Sequence, residues 1–267
     1  MSALSTPPAA PAAPAPRTVR VRPVPAVTRS IAVLRLLGRS PTPLGVKAIA
    51  LELSLVTSTC LHILRVLVDE GLVRVDAGTK RYSLGLGMLS LARSVIERNP
   101  FPQLAQPVLD ELSARWGVTA IGVETLGIDH MVVLAISRSQ APFRLHVDVG
   151  SRFPGLISAT GRLVSAYAEM SREEIERRFQ ALRWHQPPEF SAWMQEVEAV
   201  RRLGYSMDRG NYIAGVTLIA VPVFDDRRRL THALVAAGVS DALDELTRHG
   251  LIEDMTRQAR AVGAMLS

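Results

Sequence analysis

Apolar residues between Pro43 and Gly71 recur at the three- and four-residue intervals of amphipathic helices, with a break at Ser54 and Leu55. The pattern predicts two short helices that are joined by a tight corner and share one small core. Gly71 can adopt the positive φ that commonly ends a helix. The predicted inward positions are Val46, Ile49, Ala50 and Leu53 in the first helix and Val56, Cys60, Ile63, Leu64 and Leu67 in the second.

The opposite face of the second predicted helix is short and polar. Its members, at the spacing of a single helical face, are Thr57, Ser58, Leu61, His62 and Arg65. Hydroxyl groups and free backbone N–H groups in the first turn of a helix can bind phosphate oxygens, while side chains one and two turns further on can reach base edges. This pattern is typical of a recognition helix that enters DNA.

Two short β-type runs follow the second helix. They are LVRV at 72–75 and KRYSL at 80–84, and the four residues between them, Asp76 to Thr79, are typical of a hairpin turn. Basic residues stand near the tip of this hairpin. Two helices followed by a basic hairpin indicate a winged helix-turn-helix, although an ordinary small α+β unit can show the same pattern.

The sequence before this motif predicts one more helix and a tail. The helix runs from Val27 to Leu37 with Val27, Ile31, Leu34 and Leu37 facing inward, and Pro41 and Pro43 prevent it from continuing. Residues 1–25 are rich in Pro, Ala and Ser, so we expect a disordered or extended tail. Three arginines in the tail could contact DNA or remain solvated: Arg17, Arg20 and Arg22.

Domain boundaries follow from these elements. We assign residues 26–85 to a DNA-binding domain and residues 86–99 to a linker helix, which Asn99, Pro100 and Pro102 end. Residues 100–267 form a second domain in which strands and helices alternate, as in a sheet with helices on its faces.

The elements of this second domain follow from its apolar patterns. Predicted strands are TAIGVETL, HMVVLAIS, FRLHV, YSMD, GVTLIAVPVF and LTHALVAAGV; GSRFPG is a predicted loop. Predicted helices cover residues 103–116, 158–170, 173–182, 192–203 and 242–266.

Composition bounds the class of protein. The 267 residues are 48% hydrophobic, which is enough for two cores. No apolar run approaches the roughly 18 residues that span a bilayer, and no secretion signal is visible, so we expect a cytoplasmic protein that does not enter the membrane. The single cysteine, Cys60, excludes an internal disulfide and fits a reducing compartment.

Charge is distributed unevenly along the chain. Residues 1–98 hold 13 Lys+Arg against 5 Asp+Glu, a net charge of +8, and the remainder holds 18 against 20, a net charge of −2. The basic part coincides with the predicted winged helix, as binding to nucleic acid requires.

Patterns for other chemistry are weak. Gly85, Gly87 and Ser90 form only part of a dinucleotide-binding fingerprint, and no βαβ unit surrounds them. The chain has no G-x-S-x-G, and no oriented base is evident near Cys60. The six histidines show no short metal-binding spacing: His62, His130, His146, His185, His232 and His249. We therefore predict no catalytic residue, no metal site and no cofactor.

From about Val27 onward, the chain resembles the IclR (isocitrate lyase regulator) family of bacterial transcription factors. In the first domain the resemblance is carried by LVTSTCLHILRVLVDEGLV, with Ser58 and Thr59 at the family's hydroxyl pair, and by RYSLG at 81–85. In the second domain Gly150, Arg152 and Pro154 match the family's G-x-R-x-P loop. Ala159 and Gly161 match its small-residue helix start, and VRRLGYSMDRGNYIAGVTLIAVPVF matches its most distinctive stretch.

The chain departs from the family's pattern in both domains. Ser54 replaces the usual glycine at a corner that needs left-handed geometry, and His62 replaces the usual recognition-helix arginine. In the second domain Arg162 replaces a usual lysine and Thr217 a frequent cysteine, while Gly155 and Leu156 stand where Leu-His is usual.

The resemblance implies an α+β protein with an N-terminal winged helix-turn-helix, a linker helix and a C-terminal GAF-like (profilin-like) α/β effector domain. Such a protein would be a homodimer or a tetramer, a dimer of dimers, that binds a double-stranded, palindromic DNA operator. A small organic effector, a carboxylate or an aromatic metabolite, would bind the C-terminal domain and modulate operator binding.

We assign site residues on these two grounds. The predicted DNA-binding residues are Thr57, Ser58, Thr59, Leu61, His62, Arg65, Lys80 and Arg81. The predicted effector-binding residues are Ser158, Ala159, Gly161, Asp208 and Thr217. Arg144, Arg152 and Arg162 could recognise a carboxylate or form salt bridges instead. The alternative function is a small-molecule-binding or catalytic α/β domain whose basic head docks a protein partner.

Overall fold

The computed structural model describes residues 24–138, 145 and 147–266. The predicted tail with its three arginines, Arg144, His146 and most of the predicted FRLHV strand lie outside the described residues. The chain divides after Val95 into two compact units.

The first helix, α1 (Pro25–Arg39), begins at a proline, whose missing N–H costs nothing in the first turn of a helix. Val33 and Leu37 are its buried residues, whereas Val27 and Ile31 are 55% and 42% exposed. The predicted inward face is therefore wrong at Val27 and Ile31, because only the C-terminal half of α1 reaches the core of the first unit.

The predicted pair of short helices is present. A two-residue strand, β1 (Leu44–Gly45), leads into helix α2 (Val46–Glu52), and helix α3 (Thr57–Asp69) follows after a turn of 113°. This turn is typical of a helix-turn-helix. Ser54 occupies the corner with a φ of 52°, which confirms the expected left-handed geometry. The Leu55 amide donates to the Ala50 carbonyl at 2.8 Å and closes the corner.

In α2 and α3 the core of the first unit lies where the helical pattern places it, with one exception. Ile49, Cys60 and Leu64 are fully buried, and burial raises the pKa of the Cys60 thiol. Val56 was predicted to face inward but is exposed, since it is the N-cap residue of α3 and lies outside the helical repeat. Gly71, with a φ of 69°, follows the C-terminal end of α3 as expected.

The predicted hairpin consists of strands β2 (Val73–Val75) and β3 (Arg81–Leu84). The Asp76 carboxylate accepts hydrogen bonds of 2.6 Å from the Thr79 amide and hydroxyl and so closes the turn. Strand β1 pairs with the other edge of β3 and completes a three-stranded sheet in the order β1-β3-β2. We did not predict β1, because two residues are too few to show a β period.

Helix α4 (Gly87–Arg98) begins where the backbone closely approaches Gly71. The Gly85 amide donates to the Leu72 carbonyl at 2.9 Å, and the Gly87 amide donates to the Gly71 carbonyl at 3.1 Å. A Cβ atom on Gly85 would overlap the Gly71 carbonyl oxygen, and one on Gly87 would lie 2.7 Å from it. These two glycines therefore serve close backbone packing.

The second unit is built on a six-stranded antiparallel sheet in the order β6-β5-β4-β9-β8-β7. The strands are β4 (Thr119–Leu126), β5 (His130–Ile136), β6 (Arg152–Pro154), β7 (Ser206–Arg209), β8 (Val216–Phe224) and β9 (Leu230–Val239). The helices are α5 (Phe101–Trp116), α6 (Ser158–Tyr167), α7 (Arg172–Gln180), α8 (Phe190–Leu203) and α9 (Glu245–Met265).

Both faces of this sheet are covered. Successive residues of β8 alternate between two cores: Ile219 packs on the side of α5 and α9, and Leu218 and Ala220 on the side of α6, α7 and α8. A sheet buried on both sides explains why its central strands read as nearly continuous apolar runs.

The segment GSRFPG was predicted to be a loop and is partly a strand. Arg152, Phe153 and Pro154 pair with Val132, Met131 and His130 of β5 and form the edge strand β6. Proline lacks the N–H group that a central strand needs, but an edge strand tolerates it. The loop prediction is therefore wrong at these three residues.

Among the described residues, no single helix is long and apolar enough to cross a membrane. Helices α2 and α3 together have the length and hydropathy of a membrane span, but the chain bends by 113° at the corner that contains Ser54.

Candidate DNA-binding and effector sites

The predicted recognition face of α3 lies at the surface of the first unit. Thr57, Ser58, His62 and Arg65 are exposed, and Thr59 and Leu61 are half-buried. Within the described part of the chain, the side chains of His62 and Arg65 form no hydrogen bond or ion pair. Both side chains are therefore available to a partner in solution.

The N-terminal end of α3 offers backbone donors. Its N-cap is Val56, and no side chain caps the helix. The first amides of a helix have no acceptor within the helix, and together with the helix dipole they attract anions. The hydroxyl groups of Thr57 and Ser58 stand beside these amides. The first turn of α3 is therefore suited to a phosphate group.

The hairpin adds a second basic surface. Lys80 is exposed at the turn and has a φ of 54°. The Arg81 Nη1 donates to the Pro43 carbonyl at 3.0 Å, which fixes its guanidinium group across β1. Arg74 was not among our predicted residues. It is exposed on β2, and its Nε donates to the Ser83 Oγ at 2.9 Å, so only the pairing of the strands reveals that it shares the hairpin with Arg81.

The second unit contains a pocket of about 200 Å³, which we call the α6 pocket. Its wall is mostly apolar and is formed by the inner face of the sheet, by Phe153 of β6 and by Ile213 in the loop before β8. Three side chains bring hydroxyl groups to this wall: Ser158, Thr160 and Tyr212. Burial raises the pKa of the Tyr212 hydroxyl, so this group remains a hydrogen-bond donor at neutral pH.

The structure brings only one of the five predicted effector residues to the α6 pocket. Ser158 lines it, with a φ of 61° at the first position of α6. Ala159 is fully buried in the core of the unit. Thr217 shares a hydrogen bond of 2.9 Å with Ser240. Neither Ala159 nor Thr217 is among the residues that line the pocket.

Gly161 and Asp208 also lie behind the wall of the pocket. A Cβ atom on Gly161 would overlap the Leu156 carbonyl, so a glycine allows α6 to turn tightly back over the preceding loop. Asp208 is completely buried, and its Oδ2 accepts from the Arg162 Nη1 at 3.0 Å. The side chain of Arg162 is therefore buried inside the second unit and is not exposed on its surface.

The other candidate groups Arg152, His130 and His232 lie outside the α6 pocket. Among the described residues, no group of three or more His, Cys, Asp or Glu side chains is placed to hold a metal ion. The Arg152 Nη2 lies 2.7 Å from the His130 Nε2 at the edge of the sheet. His232 is buried against Phe101, away from the α6 pocket.

Comparison with known proteins identifies both halves of the chain. The IclR helix-turn-helix domain matches residues 26–77, and the family described as bacterial transcriptional regulator IclR C-terminal matches residues 93–264. The glycerol operon regulatory protein of Streptomyces griseus is 30% identical over 233 residues, which cover 86% of this chain and 89% of that protein. The transcriptional repressor AllR of Escherichia coli is 25% identical and covers 87% of this chain and 88% of its own length.

Solved structures agree with these relatives. An IclR transcriptional regulator from Alicyclobacillus acidocaldarius superposes with a TM-score of 0.76 at 25% identity and covers 92% of this chain and all of its own. An IclR homologue from Microbacterium hydrocarbonoxydans, solved in complex with 4-hydroxybenzoate, superposes with a TM-score of 0.74 at 19% identity, over 90% and 98% of the two chains. The predicted fold class, a winged helix-turn-helix before an α/β effector domain, is confirmed. The chain belongs to the IclR family and is an effector-responsive, DNA-binding regulator of transcription.

Proposed function

We propose that α3 and the β2–β3 hairpin bind a palindromic operator, with α3 in the major groove and the hairpin on phosphate groups. The observation that carries this proposal is the exposed polar face of α3, on which His62 and Arg65 are unpaired within the described residues. His62 and Arg65 would read base edges, and the first turn of α3 would bind a phosphate. Lys80, Arg81 and Arg74 would grip the backbone beside it.

Replacing Arg65 with Ala should weaken binding to the DNA that flanks the protein's own gene. Because Arg65 is proposed to read a base edge, the loss should be about 1–3 kcal/mol on this DNA and smaller on a duplex of unrelated sequence. Fluorescence anisotropy titrations with the two duplexes measure both losses. Arg35→Ala, which removes an exposed arginine of α1, is the matched control. Equal losses in the two variants would contradict the assignment of Arg65.

We infer that the α6 pocket binds a molecule of one aromatic ring with a polar substituent. A cavity of roughly 150 Å³ accepts benzene, so a pocket of about 200 Å³ suits one substituted ring. The hydroxyl groups of Ser158, Thr160 and Tyr212 can bind the substituent. The first amides of α6 favour a negative charge at the same end, because no side chain caps this helix. The ligand of the Microbacterium homologue, 4-hydroxybenzoate, combines these features.

Small aromatic probes test this pocket. Benzene, phenol, benzoate and 4-hydroxybenzoate should each be screened for a rise in melting temperature, since a ligand that binds only the folded state stabilises it. Val133→Phe fills the pocket and should abolish the rise. Val149→Phe makes the same change at an exposed position and should leave the rise intact. A response that survives Val133→Phe would place the binding site elsewhere.

We further propose that the protein acts as a homodimer or as a dimer of dimers. Val24, Val27 and Ile31 are all exposed and lie on one face of the N-terminal part of α1 and the residue before it. Burial of such an apolar stripe against a second copy of the chain is favourable, because it removes the stripe from water. Two-fold symmetry of the heads would match a palindromic operator.

A further inference from the structure

The side chain of Arg162 is almost completely buried, although it carries a charge. It projects from α6 one turn after Ser158 and donates hydrogen bonds to four different residues. Its Nη1 donates to the Ser158 carbonyl at 3.1 Å and to the Asp208 Oδ2 at 3.0 Å. Its Nε donates to the Glu196 Oε2 at 2.5 Å, and its Nη2 donates to the Asn211 Oδ1 at 3.1 Å.

These bonds use four of the five N–H groups of the guanidinium. An effector carboxylate could gain a two-pronged contact with Arg162 only by displacing them. Arg162 also does not line the α6 pocket. The residue is therefore occupied by the protein itself and does not recognise the effector directly.

The partners of Arg162 include two parts of the pocket wall. Ser158 lines the pocket, and Asn211 immediately precedes Tyr212, which also lines it. The second oxygen of Asp208 accepts from the Tyr212 amide at 3.2 Å, so the wall at Tyr212 is held twice. One guanidinium group thus joins the start of α6 to the loop that closes the other side of the pocket.

The fourth partner points away from the pocket. Glu196 belongs to α8, and its side chain is 56% exposed. Arg162 is consequently the polar link between the pocket wall and the outer surface of α8. Asn211 extends the link, because its backbone carbonyl accepts a hydrogen bond of 2.9 Å from the backbone amide of Gln186, which lies in the loop before α8.

Stability alone does not account for a charged pair at this position. A buried ion pair is often no more stabilising than apolar residues of the same volume, because both charges must leave water. What the guanidinium provides, and apolar side chains do not, is a fixed planar arrangement of donors toward several acceptors at once.

We propose that Arg162 is a positioning residue that couples occupancy of the α6 pocket to the conformation of α8. The coupling rests on the proposed function, in which the pocket binds the effector. A ligand that contacts Ser158 or Tyr212 shifts groups that share this guanidinium, and the shift reaches Glu196 through the same side chain.

The test compares the full-length protein with Arg162→Met/Asp208→Asn. This double variant leaves no lone buried charge, and the new amide side chain keeps an acceptor oxygen for the Tyr212 amide. Hydrogen exchange of residues 190–203 is measured with and without saturating phenol or benzoate, whichever raises the melting temperature more. In the wild type the probe should slow exchange in α8, and in the double variant this effect should fall by roughly tenfold. Arg172→Met removes an exposed ion pair with Glu198 of α8 and should respond as the wild type does.

Each outcome separates the two proposals. A wild type that shows no melting-temperature rise with any probe overturns the pocket assignment, and the coupling falls with it. A double variant in which α8 responds as in the wild type overturns the role of Arg162 and leaves the pocket assignment standing. If the double variant does not fold, Arg162→Lys replaces it. Lysine keeps a charge opposite Asp208 but has a single donor centre, so the same loss of the α8 response is expected.

Discussion

His232 is a buried, titratable side chain for which DNA and effector binding give no role. It lies on β9 and stacks on Phe101 with ring centroids 4.1 Å apart. Its Nδ1 lies 2.9 Å from the Thr231 Oγ1, while its Nε2 is buried without a partner in the described structure. Burial lowers the pKa of the imidazole from 6.5 to about 4. The folded protein therefore holds this ring neutral.

The depressed pKa makes the stability of the second unit dependent on pH. The unfolded chain binds a proton at His232 near pH 6.5 and the folded protein only near pH 4, so the free energy of unfolding falls as the pH drops between these values. The total loss is about 3 kcal/mol. His232→Phe keeps the stack on Phe101 and should remove most of this loss, as measured by urea unfolding at pH 7, 5.5 and 4.5.

His249→Phe serves as the control for His232→Phe, because His249 is exposed on α9. This variant should keep the pH dependence of the wild type. If His232→Phe loses stability with falling pH as steeply as the wild type, the titrating group is another one.

At the level of residues, the sequence predicts exposure better than it predicts contact. The polar face of α3 followed from helical spacing alone. Spacing does not tell which end of a helix meets the core, and for this reason Val27 and Ile31 are misplaced. Nor does it distinguish Val133, which lines a pocket, from a residue packed in a solid core. The buried position of Asp208 became evident only when α6 and β7 were seen together.

At the level of elements, the junction of β3 and α4 depends on two glycines that approach Gly71. Gly85→Ala would push a methyl group into the Gly71 carbonyl oxygen and to 3.1 Å from the Leu72 carbonyl carbon. Both neighbours are backbone atoms and cannot rotate away. We expect the variant to lose roughly 1–3 kcal/mol of the free energy of unfolding of the first unit, measured by thermal or chemical denaturation.

Gly78→Ala is the matched substitution in the hairpin turn. A Cβ atom there would meet only the Asp76 Oδ1, at 3.6 Å, which is an ordinary contact. This variant should unfold within about 0.5 kcal/mol of the wild type. Equal stability of the two variants would show that the junction can relax.

The elements that the sequence failed to predict share a physical cause. Strands β1 and β6 have two and three residues, so no alternation is visible in them. Each exists because a longer partner, β3 or β5, offers an unpaired edge. By contrast, α3, α5, β8 and β9 carry long patterns of their own, and all four were predicted from those patterns.

At the scale of the whole molecule, the exposed stripe of α1 bears on assembly. Val27→Asp/Ile31→Asp places two charges on the face that we propose a second copy covers. Sedimentation should show a smaller species, and operator affinity should fall by about 10²-fold or more, since each head would then bind a half-site alone. Leu246→Asp alters an exposed leucine of α9 and should change neither quantity. If the double variant keeps the mass of the wild-type assembly, the exposed stripe of α1 is not the interface.

Domain order and family were accessible from the sequence because their signals extend over many residues. Charge separates the basic N-terminal part from the rest, and the motifs of the second half run through whole strands. The α6 pocket was not accessible in the same way, because its wall is assembled from five strands, two connecting segments and the start of α6. Only the folded sheet brings these segments together.

The sole cysteine of the chain lies in the middle of the DNA-binding head, and Cys60 has no solvent-accessible surface there. A thiol in that position reacts with an alkylating reagent only during the moments when the head has opened. The rate at which Cys60 is covalently labelled therefore measures the opening of the first unit, separately from any opening of the second. The single cysteine thus reports on the DNA-binding part of the chain, and its labelling can be measured without introducing an engineered label.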